Sequence, residues 1–330
     1  MDSWERVVTA KRSGLYESNY LKANSPDGQR GLWIKHNLLR PEDGVAKGEF
    51  WAIRFTRDEP PVVSKREVAW DALDLSPNRV AIRTQGIELS PDRATGSLAD
   101  MAWDLRLSGG QPPLHHLRWG ALYHTGFPKK KLLTPAPNLR FDGTLEVGGE
   151  RWDLDGWIGL RGHNWGTEHA HTYAYGNCNL WDGRAPDCTV DGFSAKVMLG
   201  GRPSPWLSSV VGRNPSVHRN AVRDWMAASP VVTNTSWSLA WTSPRRGTTS
   251  LSMTANPEGY AGLRYEHPDG RFSYCYNTKF ADVRWEVGAQ TLTSRCGELE
   301  ILTPEPIDDI ALHPSTDWEA SQGDYRSPTA

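Results

Sequence analysis

The run GWIGLRGHNWGTEHAHTYAYGNCNLWDG, from Gly156 to Gly183, holds three of the chain's ten histidines and three of its sixteen tryptophans, so polar chemistry and aromatic bulk converge there. His163, Trp165, Glu168, His169 and His171 fall within nine positions. Beyond them Tyr173, Tyr175, Asn177 and Asn179 alternate with small or apolar residues, and on a strand all four share one face. Gly162-His163-Asn164-Trp165-Gly166 has the texture of a tight loop. Proton donors and acceptors beside aromatic walls suit a reaction run by protonation in a dry pocket.

The sequence on both sides is strand-like. Upstream, candidates lie at 16–23, 31–38, 48–55, 62–70, 79–88, 97–107, 117–123, 139–147 and 151–160. Downstream they lie at 187–199, 206–213, 236–242, 247–255, 260–267, 271–289 and 294–302. Turn residues separate them at a spacing of roughly 8–12 residues, the rhythm of a sandwich or barrel. With 31 Gly, 23 Pro and 16 Trp in 330 residues, the composition favours the same class, all-β. Residues 1–12 have room for one or two helical turns, and 218–228 (HRNAVRDWMAA) reads as an amphipathic helix of about three turns. From Pro304 the chain turns polar and Pro-rich, which predicts an extended tail.

Two β-units of similar size result, 1–162 and 163–330, with the histidine-rich run at their junction, where ligand sites often lie. Basic and acidic residues nearly balance (37 against 39), and the longest run of one sign is Lys129-Lys130-Lys131. That argues against a nucleic-acid partner. No segment reaches the ~20 apolar residues of a membrane span, which predicts a cytoplasmic protein with at most peripheral membrane contact. Cys178, Cys188, Cys275 and Cys296 fit no CxxC pairing and read as buried thiols.

Three places resemble the tocopherol cyclase-like family and the related carotenoid 1,2-hydratases (hydroxyneurosporene synthases). Gly162-His163-Asn164-Trp165-Gly166 is similar to that group's loop of Asn or Gln followed by Trp-Gly. Tyr173 to Leu180 (YAYGNCNL) resembles the tocopherol cyclase strand of aromatics, a polar residue, Cys and Asn. Tyr16-Glu17-Ser18 with Leu32-Trp33-Ile34-Lys35 resembles the opening strands of bacterial relatives. The resemblance implies two consecutive lipocalin-like β-barrel domains with the active site near their junction. It also implies cofactor-free ring closure, hydration or isomerisation of a hydrophobic terpenoid-like or polyketide-like substrate. The hydratase branch has an Asp before the motif's His, where this chain has Gly162, and a Tyr and an Asp on the next strand, where this chain has Tyr175 and Asn177.

An acid must then come from elsewhere, and Glu168 is nearest. Burial beside Trp165 and Trp181 would raise its pKa and keep it protonated. A tryptophan face would steady a developing cation. His163 or His169 would exchange protons with the acid, and Asn164, His171, Tyr173, Tyr175 and Asn177 would bind substrate. Two other readings share these residues. His169-x-His171 with His163 and Glu168 could hold zinc or iron, and a lipocalin-like barrel could carry an apolar ligand unchanged. A carbohydrate-binding β-sandwich is the third alternative.

Overall fold

The computed structural model describes residues 6–313 apart from 184, 186, 227 and 244–246. Its first sheet has twelve strands. They are β1 (Leu15–Asn24), β2 (Arg30–Arg40), β3 (Lys47–Thr56), β4 (Val62–Ala69), β5 (Asp74–Leu75), β6 (Ile82–Thr84), β7 (Ile87–Leu89), β8 (Arg93–Leu98), β9 (Met101–Gly109), β10 (Leu114–His115), β11 (Lys130–Val147) and β12 (Glu150–Gly166). The second half begins with β13 (Thr172–Cys178) and β14 (Thr189–Lys196). A small hairpin follows, β15 (Met198–Leu199) and β16 (Arg202–Pro203). Then come β17 (Leu207–Arg213), β18 (Val217–Arg219), β19 (Val231–Val232), β20 (Ser236–Ser243), β21 (Gly247–Thr254), β22 (Ala261–Glu266), β23 (Phe272–Val287) and β24 (Gln290–Thr303).

In each sheet neighbours follow chain order, and the last strand pairs antiparallel with the first, β12 with β1 and β24 with β13. Each is an up-and-down, lipocalin-like barrel left open at one seam, between β4 and β5 and between β18 and β19. A 3-10 turn at Trp70–Ala72 joins the first pair of seam strands, and α1 (Val222–Trp225) lies between the second. Even the side pairings match, β10 on β11 and β22 on β23. The topology repeats although the sequence shows no clean repeat.

The long hairpins explain how the halves meet. Along β12, residues 151–155 alternate exposed and buried, whereas 159–166 are buried on both faces except half-buried Asn164. In β24 the change comes near Cys296. Register shifts at Leu133/Ala136, Ala136/Leu139 and Phe141/Gly143, and at Thr278/Ala281 and Ala281/Val283, bend both hairpins. One core fills the first half-barrel (Leu21, Phe50, Phe141, Trp152) and another the second (Cys178, Trp237, Trp285, Ile301). A third lies between the sheets, built from Tyr20, Trp33, Trp51, Leu160, Tyr173, Tyr175, Leu263 and Leu302.

Several expectations change. Gly162–Gly166 is the end of β12, not a loop, and it carries the first sheet four residues past Gly162. The expected helix at 218–228 is a single turn, because His218 belongs to β18, whose Val217 and Arg219 are buried against β17. The span 117–123 contains a 3-10 turn (Gly120–His124), and 97–107 is a hairpin turning at Ala99, whose φ is 40°. Residues 6–12 form turns, with Val7 buried, and residues 1–5 lie outside the described residues. The tail packs at first: Ile307 and Ile310 enter the second core, Ile307 N–H donates to the Tyr276 hydroxyl (2.7 Å), and His313 N–H donates to Gly262 O (2.9 Å). Residues 314–330 lie outside the described residues. All four cysteines are free and buried. Among the described residues no helix is long and apolar enough to cross a membrane.

Gly159 shows how closely the backbones approach. A Cβ there would stand 1.8 Å from the Lys22 carbonyl oxygen, a backbone atom that cannot swing aside. Gly159→Ala should therefore cost about 3 kcal/mol of stability in urea unfolding. A loss below about 0.5 kcal/mol, ordinary for a surface change, would contradict this packing.

Candidate functional site

Every residue of β1 is buried. Leu21 and Ala23 point into the first half-barrel, so Ser18, Tyr20 and Lys22 point the other way, toward the second sheet. On the facing sheet Tyr173 and Tyr175 of β13, Cys275 of β23 and Leu302 of β24 point back. The Tyr20 hydroxyl donates to that of Tyr175 (3.1 Å), and Lys22 Nζ donates to Asn179 Oδ1 (3.1 Å). Gly162 makes room for this: a Cβ there would stand 2.0 Å from the Tyr20 ring.

Between the sheets lies a mostly apolar cavity of about 250 Å³. Trp33, Leu132, Phe193, Ala195, Leu207, Trp225 and Tyr265 wall it, and Phe127 and Leu199, both largely exposed, stand at its rim. Ser18, Tyr20, Lys35, His116, Lys130, Asn164, His169, Tyr173, Tyr175 and Glu300 supply polar groups. An apolar chamber with a few convergent polar groups is the usual form of a small-molecule site.

Two polar systems back this chamber. In the first, buried Asp191 accepts from the Tyr175 hydroxyl (3.2 Å) and from Thr134 Oγ1 (2.5 Å), and its Oδ1 lies 3.0 Å from His116 Nε2. His116 Nδ1 lies 3.2 Å from Ser209 Oγ. Asp191, His116 and Ser209 thus form a triad-like string, but Ser209 is not among the cavity-lining residues, so it presents no nucleophile there. In the second, Asn277 Nδ2 donates to Glu300 Oε1 (2.5 Å), and Glu300 Oε2 lies 3.1 Å from the Tyr173 hydroxyl. Lys279, which also bonds Asn277, pairs with Glu298 (2.6 Å). Burial, and then the neighbouring Glu298, push the Glu300 carboxyl above its usual range. Glu300 is an acid held toward its neutral form at the wall of an apolar cavity.

The structure divides the residues singled out in the sequence. Asn164, His169, Tyr173 and Tyr175 line the cavity, as does Glu168. His169 is stacked on Tyr16 (centroids 3.6 Å apart) and lies 4.5 Å from the His267 ring. Burial and His267 hold it neutral, so it can accept a proton but carries none to give near neutral pH. Glu168 is not enclosed as expected. A third of its side chain is exposed and it pairs with Lys129, a partner 39 positions away in sequence. His163 faces the interior of the first half-barrel, where its Nε2 meets Glu17 Oε1 (2.8 Å) and its ring stacks on Trp165 (4.4 Å). Burial raises the Glu17 carboxyl, but the His163 bond and the Thr9 amide bring it below its ordinary value. His163 and Trp165 therefore lie behind the site wall. Trp181 belongs to the second core, stacked on Trp285. His171 is half-buried and Asn177 bonds Val190 O; neither lines the cavity. His163, Glu168, His169 and His171 do not converge, and no metal-holding group of three His, Cys, Asp or Glu occurs among the described residues. Glu300, Asp191, His116, Lys35 and Lys130 were not anticipated.

No family model and no curated protein matches the chain. The crystal structure of a putative AttH from Nitrosomonas europaea is similar at a TM-score of 0.51 and 13% identity, covering 88% of this chain and 92% of that one. Coverage of that extent takes in both half-barrels. At that identity the likeness carries the fold alone.

Lys130 provides a check on the chamber. Burial lowers its pKa to about 8, while its ammonium sits 4.2 Å from the Tyr173 ring centre. An ordinary lysine titrates near ~10.4. Its amine is thus mostly charged at pH 7 and mostly neutral at pH 9. In protein carrying ¹³C-methylated lysines, one NMR resonance should titrate near pH 8 and vanish in Lys130→Met. If every lysine titrates above pH 10, the chamber is wetter than described.

Proposed function

We propose that the junction cavity binds a hydrophobic small molecule and rearranges it by cofactor-independent acid/base chemistry, with Glu300 as proton donor. The reaction class is cyclisation, hydration or isomerisation, in keeping with the resemblance to tocopherol cyclase-like proteins. The observation that carries this reading is a buried carboxyl, biased toward its neutral form, that both lines an apolar cavity and touches a tyrosine hydroxyl. A carrier needs apolar walls; an acid biased toward its neutral form at the wall can act as a reagent.

In this scheme Glu300 gives a proton to an unsaturated carbon or carbonyl oxygen of the substrate. A second proton leaves the substrate and returns to the carboxylate by way of Tyr173, so an isomerisation or cyclisation closes without loss or gain of electrons. Tyr20, Tyr175, Asp191 and His116 form a second proton path across the junction. Trp33 and Tyr265 shape the substrate's apolar body. The four free buried thiols suit a reducing compartment such as the cytoplasm.

Mass spectrometry of small molecules that co-purify with the protein would supply the substrate. Glu300→Gln keeps shape and most hydrogen bonds but delivers no proton, so turnover should fall by about 100-fold or more with little change in ligand affinity. The groups facing Glu300 include Glu298 on its own strand, Tyr173, Tyr265, Cys275, Asn277, Lys279, Lys35 and Lys130. Its raised pKa fixes the sign of the pH effect: the rate holds at lower pH and declines as pH rises through that pKa. Full turnover in Glu300→Gln would remove the acid assignment, and a ligand recovered chemically unchanged would favour a carrier.

A further inference from the structure

We infer that the cavity is built for a ligand bearing one oxyanion, a carboxylate or an enolate, on an apolar body, and that Lys35 and Lys130 receive that oxyanion. This rests on the reading of the cavity as a ligand site and narrows it to a class of ligand.

Three lysines and two glutamates line the cavity: Lys35, Lys129, Lys130, Glu168 and Glu300. Lys129 and Glu168 pair with one another. Glu300 is held toward its neutral form, and its two oxygens face Asn277 and Tyr173. Lys35 and Lys130 are left over. Lys35 is 94% buried (6% exposed), yet its ammonium has no hydrogen bond or ion pair with any described residue. It rests on aromatic faces, 3.6 Å from the Tyr265 ring centre and 5.5 Å from that of Trp33. Lys130 lies likewise over Tyr173. Ring faces return only part of the hydration that a buried ammonium gives up.

Two unpaired ammonium groups facing one small chamber repel each other, and Lys35 is among the charges that depress Lys130. An oxyanion between them would supply the missing partner to both. The same field opposes a carbocation, so a pure hydrocarbon substrate protonated to a cation fits poorly. A substrate whose charge is negative, or becomes negative as a proton leaves, fits well. Glu300, adjacent and biased toward its neutral form, can then protonate the far end of such a conjugated anion.

Calorimetric titration with 2-naphthoate, methyl 2-naphthoate and 2-naphthylmethylamine separates the terms. All three share the apolar body and differ in charge. The acid should bind about tenfold or more tighter than the ester, as expected for a charge meeting a buried partner, and the amine should bind weakest. Lys35→Met keeps the stem and removes the charge, so it should erase the acid's advantage while leaving ester affinity within about twofold. If that variant fails to fold, Lys130→Met reads the same preference from the half-buried side of the cavity. Equal binding of acid and ester, or preference for the amine, overturns the oxyanion inference while the cavity reading stands. Failure of all three probes overturns both.

Discussion

A strand buried on both faces has no solvent side on which to place its polar residues. β1 is such a strand, and Tyr16, Ser18, Tyr20, Lys22 and Asn24 must find what they need across the junction. The second sheet meets part of that need. Tyr175 takes the Tyr20 hydroxyl, Asn179 takes Lys22, and Asn24 donates to the Lys279 carbonyl (3.1 Å). The halves are thus joined by a polar layer inside an apolar one. Such a layer fixes orientation, because sliding one sheet by a single residue would turn these groups onto apolar partners.

The layer carries an energetic burden. Buried charges lose hydration that pairing only partly restores, and an apolar junction of similar volume would often be at least as stable. Lys279 with Glu298 and His116 with Asp191 are paired at full burial. Lys35, Lys130 and Glu300 are not so balanced, and all three face the cavity. Within the junction the Lys279–Glu298 pair lies behind the cavity wall, and His116 reaches the wall with its Asp191 partner behind it.

Much of the fold was legible. Turn-punctuated strands on both sides of Gly156–Gly183 gave two β-units, and the alternation of Tyr173 and Tyr175 placed both on the cavity face. Glu300 stayed hidden in the sequence for a physical reason. Gly297-Glu298-Leu299-Glu300-Ile301 has the period-2 pattern of a half-exposed strand, with its glutamates toward water. The pattern is correct, but the outer face of that strand is covered by the other half-barrel. Lys35 in LWIKHN is hidden by the same logic. Glu168 looked like the acid because aromatics surround it in sequence, yet its partner Lys129 arrives from the start of the neighbouring hairpin. The link of His116 to Asp191, 75 positions on, is created only by the topology. Period reveals which face a residue takes; it does not reveal what lies against that face.

The proposed chemistry depends most on the protonation of Glu300. Infrared difference spectroscopy between the wild-type protein and Glu300→Gln at neutral pH reads it directly. A neutral carboxyl C=O stretch present in the wild type and missing from the variant is the predicted result. A carboxylate signal in its place would mean that Glu300 is ionised in the resting protein, and the proton-donor account would fail.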